Sequence, residues 1–185
     1  MHNKKIKIPD QNLELEIRKL INHPTGEINE ELLLPIKECK FDSVEIKDLD
    51  GLQYAQNLRS LKFKNSHIED LSKIAELPNL VTFDIENVNI KNFSQISVFN
   101  NLTKLRIKNC KSIELEGLYA LENITDLSLI NNSLESIKFI SNMSKLESLN
   151  IENNNVKDLS VLSPLRSLSW IDLGNNQVSN IEDLS

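Results

Sequence analysis

An internal repeat of 22 residues constrains the fold of this chain more than any other feature. Segments 58–63, 80–85 and 102–107 each carry apolar residues at their first, fourth and sixth places, and this pattern returns every 22 residues without an insertion. It gives seven units that begin at residues 36, 58, 80, 102, 124, 146 and 168, the last of them incomplete at residue 185. Seven matches in one register exclude a chance periodicity.

The spacing of apolar residues inside a unit indicates its local structure. Positions 4 and 6 have the two-residue period of a short strand with one buried face. Positions 11, 14, 17 and 20 have a period of three, as in Val156, Leu159, Leu162 and Leu165, which is typical of 3₁₀ or extended turns. A unit this small must stack on its neighbours to bury its core. The sequence therefore predicts an α/β solenoid with a parallel β-sheet on its concave face and short 3₁₀ or extended turns on its convex face.

The units resemble the leucine-rich repeat, L-x-x-L-x-L-x-x-N-x-L, in the 22-residue form found in internalins. Position 9 of that repeat carries an asparagine whose amide satisfies backbone groups at the turn after the strand. Three units have it: Asn132, Asn154 and Asn176. The first four units carry Val44, Ser66, Val88 and Cys110 instead, so we expect the N-terminal half to be looser at this turn.

Residues 1–35 lie outside the repeat and predict a small α-helical N-terminal cap. Asp10 is a candidate N-cap of a first helix, whose buried face would carry Leu13, Ile17, Leu20 and Ile21. A second short helix is expected from Asn29 to Leu34, ending at Pro35. Segments 8–13 and 24–28 resemble the helical cap of internalin-type proteins, which covers the open edge of the first repeat.

The C-terminal end has no such cap, because Ile181 and Leu184 still follow the repeat pattern. Two explanations stay open: the natural chain continues, or something else covers this end, including self-association through the uncapped repeat. Stacked repeats depend on their neighbours, so we expect this end to fray first.

Several classes of function are disfavoured by composition. A net charge of -6 and a pI near 5.2 argue against nucleic-acid binding, and no apolar run is long enough for membrane insertion. The histidines and cysteines lack metal-ligand spacing, and no catalytic triad or glycine-rich phosphate loop is present, so we predict no catalytic residues, no metal and no cofactor. Cys39 faces the predicted core and lies about 14 Å from Cys110, three strand spacings away, so both are expected to be buried free thiols.

The candidate partner-binding residues lie at positions 3, 5 and 7, on the exposed concave face of the sheet. They are Lys62, Lys64, Asp84, Glu86, Lys104, Arg106, Lys108, Asp126, Ile130, Glu152, Trp170 and Asp172. Their charges alternate from unit to unit, so lateral ion-pair ladders explain them as well as a partner does. Ile130 and Trp170 differ, since an apolar side chain gains nothing from the repeat at a solvent-facing position.

These features favour a non-catalytic module that binds a protein of unknown identity on its concave face. The resemblance to internalins implies adhesion or recognition at a cell surface if the chain is a fragment of an exported protein. A native start at Met1 would favour the cytoplasm, and the alternative there is an intracellular regulator or inhibitor of an enzyme, similar to immunity proteins or phosphatase regulators. The 17 Lys against 4 Arg indicate an AT-rich, bacterial genome.

Overall fold

The computed structural model describes residues 4–110 and 115–179. Its N-terminal part contains strand β1 (Lys5–Ile6), helix α1 (Gln11–Leu20), strand β2 (Ile28–Asn29) and helix α2 (Glu30–Leu33), with β1 and β2 paired antiparallel. Asp10 caps α1 by accepting the backbone N–H groups of Asn12 at 3.0 Å and Leu13 at 2.9 Å. Asn29 caps α2 in the same way through the N–H of Leu32 at 3.1 Å.

Fewer residues of α1 are buried than the sequence predicts. Leu13 and Ile17 are buried, as expected, and Ile21 is partly buried. Leu20 is 48% exposed, so its predicted place in the core is wrong. It is the last residue of the helix and lines an open groove with Leu32 and Pro35, where no other element covers it.

Nine strands follow this region. They are β3 (Glu38–Asp42), β4 (Ser60–Lys64), β5 (His67–Ile68), β6 (Thr82–Glu86), β7 (Asn89–Ile90), β8 (Lys104–Lys108), β9 (Asp126–Ile130), β10 (Ser148–Asn150) and β11 (Trp170–Asp172). All but β5 and β7 form one parallel sheet in the order β11-β10-β9-β8-β6-β4-β3. Each residue pairs with its equivalent in the next unit, as Leu61 does with Cys39 and Phe83, so the predicted sheet and its register are confirmed.

The convex side consists of short 3₁₀ helices, which confirms the interpretation of the three-residue period. They span Leu52–Tyr54, Ser72–Ile74, Phe93–Val98, Leu115–Ala120, Lys138–Asn142 and Ser160–Leu162. Between these helices and the sheet runs one continuous core of Leu, Ile and Phe side chains. Neighbouring units touch closely: a Cβ on Gly117 would lie 2.7 Å from the backbone oxygen of Ser94, so only glycine fits there.

The turn after each strand places position 8 in the left-handed region of backbone space. The residues there are Ser43, Asn65, Asn87, Asn109, Asn131, Asn153 and Asn175, with φ between 51° and 60°. Asparagine adopts this conformation more readily than other residues with a side chain. This left-handed turn was not predicted, although the recurrence of Asn at position 8 in six of the seven units is a signal for it.

Position 9, directly after that turn, holds the buried asparagine ladder in the C-terminal units. The Asn154 amide oxygen accepts the N–H groups of Asn132 and Leu134, both at 3.0 Å, and its amide nitrogen donates to Leu129 O at 2.6 Å. Asn132 bonds in the same way to Cys110 N and Ile107 O, both at 2.9 Å. These amides tie each unit to the one before it.

The N-terminal units satisfy this turn more locally. The Ser66 hydroxyl donates to Lys64 O at 2.9 Å, and the Cys110 thiol contacts Lys108 O at 3.3 Å. Both partners belong to the same unit as the donor. Val88 is buried and its side chain has no polar group to offer. The looser N-terminal half stays a prediction, and this difference in bonding is its physical basis.

Candidate functional site

All twelve predicted residues lie on the side of the sheet that faces away from the core. Eleven belong to strands β4, β6, β8, β9 and β11, and Glu152 lies two residues after the end of β10. Lys104, Arg106 and Trp170 are exposed, whereas the other nine are partly buried by their neighbours on the sheet. We call this surface the concave face.

The charges of β4, β6 and β8 largely neutralise one another. Lys62 Nζ lies 2.9 Å from Asp84 Oδ2. Glu86 lies between two lysines, with its oxygens 3.3 Å from Lys64 Nζ and 3.6 Å from Lys108 Nζ. Burial opposes ionisation of Glu86, but the hydrogen bonds and charges of the two lysines outweigh it and hold the pKa of this carboxyl below its usual value. This part of the concave face is therefore a ladder of ion pairs between neighbouring strands, which is one of the two explanations of these charges offered by the sequence.

Arg106 does not join the ladder, although its position suggests that it should. It is paired in register with Asp84 across β6 and β8, yet it forms no ion pair within the described ranges. Lys62 already engages Asp84 Oδ2, and Asp84 Oδ1 is buried without a hydrogen-bond partner in the described chain. The exposed guanidinium does not reach this oxygen. Lys104 is also weakly held, since its nitrogen lies 4.0 Å from Asp126 with both side chains about half exposed.

The C-terminal part of the concave face carries a different charge pattern. Positions 3, 5 and 7 of the last three units include Asp126, Glu152 and Asp172 but no basic residue. Glu152 accepts the Asn153 amide at 2.9 Å, and Asp172 accepts the N–H of Gly174 at 2.9 Å. In residues 4–110 and 115–179 neither carboxylate has an ion-pair partner, so their negative charges are uncompensated.

The two apolar candidates differ in exposure. Trp170, the only tryptophan of the chain, begins β11 and is 51% exposed, as expected for a side chain that points away from the core. Ile130 was expected to face solvent but is partly buried. It is paired in register with Lys108, and the aliphatic stem of a lysine shields an apolar neighbour. Trp170 is therefore the more accessible of the two.

The two cysteine thiols lie in the core, away from the concave face. Cys39 and Cys110 are free and buried, which confirms the predicted thiols. Burial, with a smaller contribution from the charge of Glu38, raises the pKa of Cys39 to about 12, and burial also raises that of Cys110. Within the described ranges no group of three or more His, Cys, Asp or Glu residues could hold a metal ion. In the same ranges, no helix combines the length and apolarity that a membrane span requires.

Solved structures show where this architecture recurs. Internalin InlF from Listeria monocytogenes superposes with a TM-score of 0.73 at 22% identity, over 96% of this chain and 59% of that chain. Internalin C2 from the same species gives a TM-score of 0.70 at 22% identity, over 96% and 89% of the two chains. The functional domain of InlJ, described as including a cysteine ladder, gives 0.65 at 15% identity, over 97% and 50%. This chain thus spans about three fifths of the InlF structure.

No protein-family model matches the sequence, and no curated protein is significantly similar to it. The structural likeness therefore concerns the fold alone, because the identities are below the range in which function transfers. Together with the parallel sheet and the convex 3₁₀ helices, it shows that the chain has a leucine-rich-repeat solenoid fold similar to that of the internalin structures.

Proposed function

We propose that this chain is a non-catalytic interaction module that binds a partner protein on the concave face, at its C-terminal end, as an internalin-like recognition domain does. The observation that carries the proposal is the exposure of Trp170 on β11. Large aromatic side chains dominate the binding energy of many protein interfaces. Here the only tryptophan lies on the sheet surface and contributes little to the core.

The distribution of charge supports the C-terminal end of the face as the centre of binding. Asp84 and Glu86 form ion pairs with the lysines of the neighbouring strands, Lys62, Lys64 and Lys108. These partly buried pairs neutralise one another within the sheet, so they stabilise neighbouring units and leave little free charge for a partner. The burial of an exposed aromatic ring in an interface contributes about 2 kcal/mol or more.

The unit that carries Trp170 is also hydrogen-bonded to the unit before it. The amides of Asn154 and Asn176 bond to carbonyl and N–H groups of the preceding unit on the turns beside β10 and β11. A surface whose backbone is already ordered loses less conformational entropy when it binds. The sixth unit, whose core residues are fully buried, therefore offers a pre-organised platform next to Trp170.

A capture experiment with matched baits tests the proposal. The baits carry a photo-crosslinker in place of Ser148, the register neighbour of Trp170, and are otherwise wild type, Trp170→Ala or Tyr119→Ala. Tyr119 is the control because it is 45% exposed but lies on the convex side, edge-on to Phe139. We expect one protein to be captured by the wild-type and Tyr119→Ala baits and lost with Trp170→Ala. Equal capture by all three baits would contradict a binding site at Trp170.

A further inference from the structure

The C-terminal part of the concave face combines an exposed indole with three carboxylates, of which Glu152 and Asp172 have no counter-charge in the described residues. We define the acidic surface as Asp126, Glu152, Trp170 and Asp172. Elsewhere on the same sheet, Glu86 has two lysines within 3.6 Å and Asp84 has one at 2.9 Å. Glu152 and Asp172 instead receive only neutral N–H donors from Asn153 and Gly174. Their charge is left for a group outside this chain to neutralise.

Gly174 lets these two acidic side chains approach each other over the backbone. It occupies position 7 of the last unit, where the preceding units carry a side chain. A Cβ at this position would lie 3.2 Å from Asp172 Oδ1 and 3.3 Å from Glu152 Cγ. Both distances are shorter than an ordinary van der Waals contact, so the two acidic side chains occupy the space that a side chain at position 174 would need. Glycine therefore lets both acids lie close together over the backbone.

Trp170 lies on the same strand as Asp172 and restricts which cation fits. It is two residues before Asp172 on β11, so both side chains project from the same face of the sheet, about 7 Å apart along the strand. The face of an indole ring attracts a cation, and it does so best when water is excluded. A planar guanidinium can stack on the ring while its N–H groups bond to a carboxylate, whereas an ammonium acts as a point charge.

We propose that the partner meets the acidic surface with a basic segment, and that an arginine of this segment stacks on Trp170 and donates hydrogen bonds to Asp172 or Glu152. This inference rests on the proposed function and adds the chemistry of the partner to it. Charge complementarity carries it: the three acids are the only charged residues at positions 3, 5 and 7 of the last three units. A partner that buried this surface without a cation would leave these carboxylates desolvated and unpaired, at a large cost.

Synthetic peptides test the chemistry without a known partner, since Trp170 is the only tryptophan and its fluorescence reports directly on the site. The probes are three hexapeptides in which glycine alternates with arginine, lysine or glutamate. We expect the arginine peptide to change the emission saturably and to bind about fivefold more tightly than the lysine peptide, with no change from the glutamate peptide. Its binding should weaken by roughly tenfold between low salt and about 0.5 M NaCl.

Charge-neutral variants show whether the named acids are responsible. The double variant Glu152→Gln with Asp172→Asn should weaken binding of the arginine peptide by roughly tenfold. The control is Glu116→Gln with Glu122→Gln, which removes the same charge from exposed positions on the convex side and should leave binding unchanged.

Binding of the glutamate peptide as strong as that of the arginine peptide would overturn the inference, as would an equal loss in the control variant or no binding at all. These results leave the proposed function standing if Trp170→Ala still abolishes partner capture, because the partner would then have another chemistry. The other possible occupant of the acidic surface is a second copy of this chain. Sedimentation at the same protein concentration tests for such a dimer. A dimer that dissociates on Arg106→Ala would assign the acidic surface to a second copy and overturn the inference as well.

Discussion

The Asp10 carboxylate accepts the backbone N–H of Lys47 at 2.8 Å and so joins the N-terminal helix to the first repeat. The same oxygen, Oδ2, accepts the N–H of Asp48 at 3.3 Å, while Oδ1 caps helix α1 through Asn12 and Leu13. One side chain thus holds two segments that are 37 residues apart in the sequence.

Removal of this carboxylate should destabilise the chain more than the loss of an ordinary cap. We expect Asp10→Ala to lower the free energy of unfolding by about 2–3 kcal/mol, because four backbone donors lose a charged acceptor. The measurement is urea denaturation followed by circular dichroism. Asp158→Ala is the matched control, since Asp158 is exposed and its hydrogen bonds come from the backbone and side chain of Ser160, two residues away, and it should cost clearly less than Asp10→Ala. Equal losses would show that Asp10 acts only on its own turn.

The contribution of Asp10 should also depend on pH. Burial raises the pKa of Asp10, but the N–H groups of Leu13, Lys47, Asp48 and Asn12 outweigh it, so the folded pKa lies below the usual value. A lowered folded pKa gives stability that is present above the unfolded pKa, about 4, and is lost as the pH falls through the folded value. The difference in unfolding free energy between wild type and Asp10→Asn should therefore be largest near neutral pH and shrink in acid. A difference that stays constant from pH 7 to about pH 2 would contradict this assignment.

The buried amide of Asn154 should contribute more to the free energy of unfolding than Ser66, the polar residue at the same position of an N-terminal unit. Asn154→Ala leaves Asn132 N, Leu134 N and Leu129 O without their partner, and each buried orphan group costs about 1–3 kcal/mol. We expect a loss of about 3 kcal/mol or more in urea denaturation, since waters can replace only part of these bonds. Ser66→Ala removes one bond within its own unit and should cost about 1 kcal/mol.

The sheet could be predicted from the sequence because a fixed period determines its register. Leu61 and Phe83 are 22 residues apart, which is the length of one unit, so they occupy equivalent positions in neighbouring strands. They pair in the sheet, as this spacing requires. Side-chain contacts on the sheet surface carry no such constraint. Arg106 and Asp84 are neighbours by register, but which of its two flanking cations Asp84 binds depends on rotamers that a period does not encode.

Local backbone conformation was only partly predictable. Asn65 and its equivalents take a left-handed turn that a recurring asparagine indicates, so this feature was readable in principle. The exposure of Leu20 was not, because helical periodicity places it on the buried face and only the three-dimensional end of α1 leaves it in an open groove.

The last described unit should exchange its backbone hydrogens fastest. Leu168, Ile171 and Leu173 are only partly buried, whereas their equivalents Leu146, Leu149 and Ile151 are fully buried. A repeat packed on one side only loses half of its stabilising interface. Hydrogen exchange measured by mass spectrometry should therefore be faster in peptides from residue 168 onwards than in peptides of β8, with sedimentation confirming a monomer. Uniform protection along a monomer would contradict this.

Binding of the partner should depend on Trp170 and only weakly on the exposed basic residues. A count of charges points instead to Lys104 and Arg106, the least compensated cations of the concave face. Charges near the rim of an interface mainly change the association rate and its salt dependence, whereas a buried aromatic ring contributes about 2 kcal/mol or more. We expect Trp170→Ala to lower the affinity for the captured partner at least tenfold, which is about 1.4 kcal/mol or more of binding free energy. The loss should come mainly from faster dissociation. Ile130→Asp should also lower the affinity, but by less than Trp170→Ala, because Ile130 is partly buried beside Lys108.

Lys104→Glu is the discriminating variant, measured beside Trp170→Ala by surface plasmon resonance at low and high salt. Lys104 lies at position 3 like Trp170 and is more than half exposed, so its replacement leaves the fold intact, as circular dichroism should confirm. It should alter mainly the association rate, and the difference from wild type should fade at high salt because exposed charges are screened over about 10 Å at 0.1 M. If Trp170→Ala binds normally while Lys104→Glu does not bind, the site is the basic cluster of β8, and the placement of the binding centre at Trp170 is wrong.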